Sequence, residues 1–241
     1  MNKKNIIVIS GAGLSAESGM PIFRGGNGLW NGHKISEVCY FPTWQQNALS
    51  VHSFYNGLRT NLASRVPNQA HVKLVEWQTK YDAVLITQNV DDLLERAGAT
   101  EVFHVHGFLT SMQCVSCLKT RDIGYTEWDL NQPCWHCGKE NTIKPYVVFF
   151  KEGAPRYRDM RVVLSSIQPQ DIVVVIGTKC DVIPFDRILA NIPCRRIFNS
   201  LNPLEEIGPE ALKIFDYVFA QEATKAVMEI DKILSTWMTE T

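Results

Sequence analysis

Three runs of consecutive aliphatic residues restrict the folds open to this chain more than any other feature. They cover residues 6–9, 84–87 and 172–176, and a weaker run follows at 196–198. Runs without alternation of apolar and polar residues are typical of strands that are covered on both faces, as in parallel sheets. The sequence therefore predicts a buried parallel sheet.

Helical patterns lie between and after these runs. Apolar residues recur every three or four positions over 70–81, 157–167 and 223–237, as an amphipathic helix requires. Alternation of strands and helices is the mark of an α/β protein. We predict a Rossmann-like, doubly wound parallel sheet.

Charge and hydropathy exclude several classes of protein. The 241 residues include 24 basic and 25 acidic side chains, for a net charge of −1, and 45% are apolar. This balance argues against wholesale disorder and against a nucleic acid or an anionic membrane as partner. No apolar run approaches the roughly 18 residues of a membrane span, and the aliphatic stretch after Lys4 is too short for a signal peptide. We expect a soluble, cytoplasmic monomer.

Four of the seven cysteines form a metal-binding pattern. Two Cys-x2-Cys pairs are separated by 16 residues, the spacing of a zinc ribbon, and they comprise Cys114, Cys117, Cys134 and Cys137. Four thiolates complete a tetrahedron around Zn²⁺, so the predicted zinc is structural rather than catalytic. We interpret the remaining Cys39, Cys180 and Cys194 as small buried apolar residues.

This pattern also divides the chain. The zinc module is predicted at 111–142, between the two parts, 1–110 and 143–241, of a discontinuous Rossmann-like domain. A helical part of the smaller lobe is expected within about 25–65.

A glycine-containing loop follows the first strand. The pattern Gly11-x-Gly13-x-x-Ala16 allows close approach of a dinucleotide pyrophosphate to the backbone at the start of a helix. An ordinary Rossmann dehydrogenase also has an acidic residue about 20 positions further on, and Glu37 lies in a stretch that does not look like a strand end. A tight strand–helix turn without a ligand is the alternative interpretation.

Polar residues end the second strand, where open α/β sheets bind ligands. Gln88, Asn89 and Asp91 offer amide and carboxylate groups to a ligand, although Asn89 or Asp91 could instead cap the following helix. His104 and His106 come next, and histidine is suited to proton abstraction near neutral pH. In an extended segment these two side chains point to opposite sides, so at most one faces a cleft.

In combination and in order, these elements resemble the sirtuins, which are NAD-dependent protein lysine deacylases. The matching segments include 11–19, Phe23-Arg24, 87–91, 105–107, both cysteine pairs, 145–150, Gly177-Thr178 and Asn199. The resemblance to the class III branch depends on 17–19, 28–30 and 54–56. It implies that NAD and an acyl-lysine substrate bind in a cleft between a Rossmann-like domain and a smaller lobe that carries zinc.

The resemblance also implies roles for individual residues. His106 matches the general base that activates a ribose hydroxyl, Asn89 the residue that supports the ribose and an ordered water, and Asp91 the residue that holds the nicotinamide amide. The expected cofactor contacts are Gly11, Ala12, Gly13, Ala16, Phe23, Arg24, Gln88, Asn89, Asp91, Gly177, Thr178 and Asn199.

The expected substrate contacts comprise the strand residues Val147, Val148, Phe149 and Phe150 and a helical group at Tyr55, Leu58 and Arg59. Class III relatives place a Tyr-x-x-Arg pair in the acyl pocket, whereas here Leu58 occupies the arginine position and Arg59 follows it. Leu58 and Arg59 lie roughly 60° and 40° to either side of Tyr55 on a helix. We therefore expect Arg59 to share the pocket face at a different angle, and neutral acyl groups to be preferred over succinyl.

Other positions depart from the family pattern. Asp92 and Leu94 replace the usual glycine and histidine, Lys151 replaces the glycine of a Phe-Gly-Glu stretch, and Lys179 replaces a serine. These changes leave two alternatives to a deacylase: a sirtuin-like NAD hydrolase or ADP-ribosyltransferase, and a non-catalytic zinc-ribbon binding module.

Overall fold

The structure is a computed structural model that describes residues 4–24, 29–30 and 32–240; for 23, 24 and 29 it describes the backbone alone. Its centre is a parallel sheet whose six strands are β1 (Ile6–Ser10), β5 (Val84–Thr87), β6 (Val102–His104), β10 (Ile172–Ile176), β11 (Arg195–Ser200) and β12 (Tyr217–Ala220). They are ordered β12-β11-β10-β1-β5-β6. The aliphatic runs β1 and β10 pair in register from Ile6–Ile172 to Ser10–Ile176, which confirms the predicted parallel sheet.

Helices cover both faces of this sheet. They are α1 (Gly13–Ala16), α4 (Gln69–Tyr81), α5 (Leu93–Arg96), α6 (Arg156–Ser165), α7 (Phe185–Leu189), α8 (Pro203–Leu212) and α9 (Ala223–Thr239). One core joins α4 and α9 to the side chains of Val8 and Val174, and a second core joins α6 and α7 to Ile9 and Val175. Alternate strand residues therefore enter opposite cores, which is why each strand is apolar throughout.

A smaller lobe lies beside the carboxyl end of this sheet. It contains a short antiparallel sheet of β2 (Phe23–Arg24), β3 (Leu29–Trp30) and β4 (His33–Lys34), followed by α2 (Ile35–Val38), a 3-10 turn (Phe41–Thr43) and α3 (Ala48–Ala63). The apolar face of α3 packs against Leu93, Leu109 and Phe149, so this lobe shares a core with the segments around the zinc module.

The cysteine loops extend from a second antiparallel sheet. It consists of β7 (Gly107–Cys114), β8 (Thr120–Asp122) and β9 (Ile143–Val147), with β7 in the middle. The sheet thus begins before, and ends after, the 111–142 segment predicted from the cysteines. Within the part of the chain that the structure describes, no helix is long and apolar enough to cross a membrane.

Candidate functional site

A cavity of about 390 Å³ lies where the carboxyl ends of the parallel strands face the smaller lobe. Its wall includes residues that follow each of the six strands of the central sheet. They are His106 after β6, Asn89 after β5, Gly11 after β1, Thr178 after β10, Leu201 after β11 and Gln221 after β12. This edge is where open α/β sheets bind ligands.

The glycines of the β1–α1 loop permit a close approach between two backbone segments. A Cβ atom on Gly11 would lie 2.7 Å from Cβ of Thr178, and one on Gly13 would lie 2.8 Å from Cα of Gly177. Gly177 itself has a φ of +66° and would place a Cβ 2.5 Å from the backbone nitrogen of Leu14. Larger residues at these positions would separate β1 from β10 at the floor of the cavity.

The hydroxyl of Ser15 connects α1 with the polar residues after β5. Asn89 Nδ2 lies 3.0 Å and His71 Nε2 lies 3.1 Å from Ser15 Oγ. Nδ1 of His71 accepts a bond of 3.1 Å from the backbone N–H of Asn68, so its Nε2 carries the proton and donates to Ser15. The same hydroxyl bonds Asp91, whose pKa is raised by burial. Ser15 therefore orients both Asn89 and Asp91, a role that the sequence analysis missed.

His106 is held in one tautomer with a nitrogen directed at the cavity. Its Nδ1 lies 3.0 Å from the carbonyl oxygen of Gln88, which can only accept, so Nδ1 carries the proton. Nε2 is then an acceptor and takes a 2.8 Å bond from the hydroxyl of Tyr157. Burial lowers the pKa of His106, although the Gln88 carbonyl opposes this shift. The imidazole is neutral at pH 7 and has the lone pair that a general base needs.

His104 has a different environment. It lies within β6, where Nδ1 is 2.9 Å from the carbonyl of Asn89 and Nε2 is 2.7 Å from Glu95. Both ring nitrogens are thus bound to protein groups, and the residue is not among those described as lining the cavity. The structure places His106, rather than His104, at the site.

The predicted substrate strand forms the opposite wall. Val147, Val148, Phe149 and Phe150 line the cavity, and the backbone N–H of Val148 donates to the carbonyl of His106 over 2.8 Å. Behind them the fully buried Lys144 pairs with Glu152 at 3.1 Å, and Glu152 accepts the N–H of Phe149 over 2.8 Å. This ion pair fixes the turn in which Lys151 has a φ of +65°, the conformation that glycine adopts most easily.

The predicted acyl-pocket residues separate into two groups. Leu58 lines the cavity, but Tyr55 and Arg59 do not. Tyr55 is fully buried and stacks on Phe149, with ring centroids 5.7 Å apart. Arg59 is also fully buried and donates to the carbonyl oxygens of Thr126 at 3.1 Å and Leu109 at 3.3 Å.

The prediction that Arg59 shares the pocket face is therefore wrong. Helix α3 packs along its Arg59 side against β7 and the zinc module, where Leu109 and Thr126 supply carbonyl acceptors for a guanidinium removed from water. Tyr55 lies behind the cavity wall for a related reason, since its ring stacks on the outer side of Phe149, a substrate-strand residue that lines the cavity.

The four cysteine sulfurs meet at one point. All ligand atoms lie within 4.8 Å of one another, and the pairs Cys114–Cys137 and Cys117–Cys134 are 3.8 Å apart. Tetrahedral Zn–S bonds of about 2.3 Å place sulfurs about 3.8 Å apart. The backbone N–H groups of His136 and Cys137 point at Cys134 Sγ from 3.4 and 3.5 Å, which suits a thiolate. The set fits a structural zinc ion.

Most of the residues predicted to contact the cofactor share the cavity. These are Gly11, Ala12, Gly13, Ala16, Gln88, Asn89, Asp91, Gly177, Thr178 and Asn199. The side chains of Phe23 and Arg24 lie outside the described part of the structure. The side-chain amide nitrogen of Asn199 donates hydrogen bonds to the carbonyls of Phe219 and Gln221, at 3.0 and 2.8 Å.

The polar residues that line the cavity without having been predicted include Ser15, Tyr157, Ser200 and Glu206. The sequence contains no pattern that separates Glu206 from the adjacent Glu205, or Tyr157 from other apolar positions of its helix. Ser15 directly follows Gly-x-Gly-x, and that position could have identified it.

Taken together, the parallel sheet, the glycine loop and the polar strand ends define a Rossmann-like, dinucleotide-binding protein with an inserted metal module. The sequence pattern described as "Sir2 family" matches residues 11–184. An NAD-dependent protein deacylase of Helicobacter hepaticus is 39% identical over 250 residues, covering 95% of this chain and 96% of that protein. One from Campylobacter jejuni is 34% identical and covers 98% and 97%. The chain belongs to the Sir2 family.

Solved structures agree with this assignment. The structure of a Sir2 homologue–NAD complex superposes with a TM-score of 0.81 at 30% identity, covering 98% of this chain and 91% of that one. A mutant Sir2 homologue in complex with 2'-O-acetyl ADP ribose also gives 0.81 at 27% identity, covering 99% and 94%.

Proposed function

We propose that the chain removes acyl groups from lysine side chains of proteins in an NAD-dependent reaction. The products are the deacylated lysine, nicotinamide and O-acyl-ADP-ribose. The observation that carries this proposal is the neutral His106, whose Nε2 faces a cavity bounded by a phosphate-type glycine loop and a substrate strand. The names of the relatives, NAD-dependent protein deacylases, support the same reaction.

The residues present fit NAD at this edge of the sheet. Gly11, Gly13 and Gly177 leave room for a pyrophosphate against the backbone, and Asn89 and Asp91 offer polar groups near His106. When bound, NAD⁺ supplies the ribose carbon to which the acyl oxygen bonds as nicotinamide leaves.

Each catalytic group of the chain has a defined task in this proposal. His106 removes a proton from a ribose hydroxyl through Nε2, and Gln88 keeps the other nitrogen protonated. Ser15 holds Asn89 toward the ribose and Asp91 toward the nicotinamide amide. Val147–Phe150 aligns the acyl-lysine backbone, and Leu58 with its apolar surroundings excludes water from the acyl chain.

The zinc ion has a structural task. We propose that Cys114, Cys117, Cys134 and Cys137 bind it and that the module predicted at 111–142 depends on it for folding. The remaining chain, 1–110 and 143–241, would form the cofactor-binding part together with the small lobe.

The partners follow from the same site. We propose acylated protein lysines as substrates and a monomer as the active form, with neither nucleic acid nor membrane as partner, since the net charge is only −1. None of the seven cysteines, all of which lie in the described part of the chain, forms a disulfide, a state that reducing compartments such as the cytoplasm maintain.

Incubation with NAD⁺, with and without an acetylated peptide, tests the function. We expect nicotinamide release that depends on the peptide, together with formation of O-acetyl-ADP-ribose. Release without peptide would identify an NAD hydrolase instead. No release under either condition would contradict an enzymatic function.

A further inference from the structure

Two buried polar atoms at one end of the cavity have no hydrogen-bond partner among the described residues. They are Oγ of Ser200, at the end of β11, and Oε2 of Glu206, on α8. Both residues line the cavity, and the Glu206 side chain is only 8% exposed. An unpaired carboxylate oxygen in such a place costs free energy unless a ligand donates to it.

The strand order shows which part of a dinucleotide reaches these atoms. Along the sheet edge, His106 follows β6, the glycine loop follows β1, and Ser200 and Glu206 belong to β11 and the helix after it. A pyrophosphate at the central loop therefore separates two halves of the cofactor. The reacting ribose lies toward His106, so the adenosine half lies toward β11.

The chemistry of the pair fits a ribose diol. A carboxylate and a hydroxyl are acceptors for the two O–H groups of a ribose, and ordinary Rossmann proteins use an acidic residue for the same purpose. The side-chain amide of Asn199, on the same strand, donates its N–H groups to the carbonyls of Phe219 and Gln221. Glu206 and Ser200, by contrast, each keep an oxygen without a hydrogen-bond partner among the described residues.

A neighbouring lysine adds a selection between cofactors. Lys179 Nζ lies 3.5 Å from Oε1 of Glu206, and the lysine side chain is half-exposed at the cavity. The Glu206 carboxylate neutralises this cation. A phosphate on the ribose 2'-oxygen would be repelled by the Glu206 carboxylate. Lys179 would offset this repulsion only in part, because it is already paired with that carboxylate.

We propose that Glu206, assisted by Ser200, binds the adenosine ribose hydroxyls and makes the site select NAD over NADP. The inference rests on the proposed function, because it takes NAD as the cofactor. It deepens that function by assigning cofactor selection to residues of α8 and β11 rather than to the β1–α1 loop.

Equilibrium binding of two probes tests it on the full chain. ADP-ribose and its 2'-phosphate differ only at the ribose, and neither contains the bond that turnover breaks. By calorimetry, Glu206→Gln should weaken ADP-ribose binding about tenfold and strengthen binding of the 2'-phosphate about tenfold, as expected for charge-assisted hydrogen bonds. Glu205→Gln is the matched control, since Glu205 is an exposed acid on the same helix.

Two further variants keep the result independent of folding defects. Ser200→Ala should weaken ADP-ribose binding severalfold. Lys179→Ala added to Glu206→Gln should abolish the gain for the 2'-phosphate, because the released lysine supplies that gain. The inference is overturned if Glu206→Gln and Ser200→Ala bind both probes as the unmodified protein does.

The outcomes separate this inference from the proposed function. Glu206-dependent binding of ADP-ribose without any nicotinamide release would sustain the inference and defeat the deacylase. Peptide-dependent nicotinamide release with binding insensitive to Glu206 would do the opposite. Failure of the unmodified protein to bind ADP-ribose would overturn both.

Discussion

At the level of single residues, the site depends on which atoms carry protons. The carbonyl of Gln88 fixes the proton of His106 on Nδ1, and the N–H of Asn68 fixes that of His71 on Nε2. The first leaves a basic nitrogen in the cavity, and the second orients Ser15 and through it Asn89. One histidine acts on the ligand, and the other acts on the residues around it.

Replacement of the two histidines near the first cysteine pair should have unequal effects. His106→Ala should lower kcat by about 10²–10⁴-fold, the usual loss when a general base is removed, while NAD⁺ affinity changes little. His104→Ala should cost much less, because its nitrogens bond Asn89 and Glu95 outside the cavity. Steady-state kinetics and calorimetry check both; a larger loss of turnover in His104→Ala would show that the base has been misassigned.

Tyr157 should affect the pH dependence of the reaction. Its hydroxyl donates to Nε2 of neutral His106, which favours the neutral imidazole and so lowers its pKa in the free enzyme. Activity is present above the pKa of His106 and is lost as the pH falls through it. Tyr157→Phe should raise that pKa and move the acidic limb of kcat/KM to higher pH.

Tyr146→Phe is the control for this shift, since Tyr146 lies on β9 and is not described as lining the cavity. Equal pH profiles for Tyr157→Phe and the unmodified protein would refute the effect. A change in kcat alone, without movement of the acidic limb, would assign Tyr157 a purely structural part.

At the level of elements, helix α3 serves two neighbours at once. Leu58 faces the cavity, whereas Arg59, one residue later, binds one carbonyl of β7 and one of the zinc module. Asn56, on the same helix, accepts the N–H of Trp128 over 3.0 Å. The helix therefore forms part of the acyl pocket and part of the support for the cysteine loops.

The acyl preference should follow from Leu58. Because the pocket has an apolar side chain there and Arg59 is not free to enter, acetyl- and butyryl-peptides should be preferred over succinyl-peptides. Leu58→Arg should raise kcat/KM for succinyl-peptide by roughly 10–100-fold, as a charge-assisted bond to the carboxylate allows. Leu58→Met is the control for packing. A preference for succinyl in the unmodified protein would rule this out.

The cysteine loops should lose their structure with their metal. Cys117→Ser removes one of four ligands, so bound zinc should fall from one per chain to well below one, with a lower Tm. Metal analysis and thermal unfolding measure both effects, and Cys194→Ser, outside the cluster, should change neither. Stoichiometric zinc in Cys117→Ser, or none in protein purified without chelator, would contradict the assignment.

At the level of the whole molecule, the sheet could be predicted and the details of its edge could not. Runs such as 172–176 are apolar on both faces, so burial alone selects a parallel strand. The cysteine spacing likewise determines its own cluster. Glu206 and Arg59 depend instead on which module packs beside their helices, and neither periodicity nor motif contains that information.

Stability should fall in mild acid. Burial lowers the pKa of both His52 and His71 to about 4, so each is neutral when folded and takes up a proton on unfolding below about pH 6.5. Their contribution to the free energy of unfolding is complete above pH 6.5. It decreases as the pH falls from 6.5 to about 4, by up to about 1.4 kcal/mol per pH unit for each imidazole. Urea unfolding at pH 7, 6 and 5 measures this slope.

A matched variant isolates one of the two groups. His52→Gln retains a donor for the carbonyl of Ile143, which lies 3.1 Å from His52 Nε2, but it cannot take up a proton. Its unfolding free energy should fall less steeply between pH 7 and 5. If the slope is the same as in the unmodified protein, His52 does not contribute to acid lability.

The burial of Arg59 also affects how this protein can diverge. The Arg59 guanidinium binds carbonyl oxygens of the zinc module and of the strand that leads into it. A descendant that loses Arg59 therefore has a less stable zinc module, whichever acyl group it removes. The Leu58 side chain makes no hydrogen bond to those carbonyls, and it lines the cavity directly. The preference for an acyl group and the stability of the zinc module are thus encoded by adjacent codons, and each is under separate selection. A lineage can exchange one acyl group for another by a change at position 58 while inheriting its metal module intact.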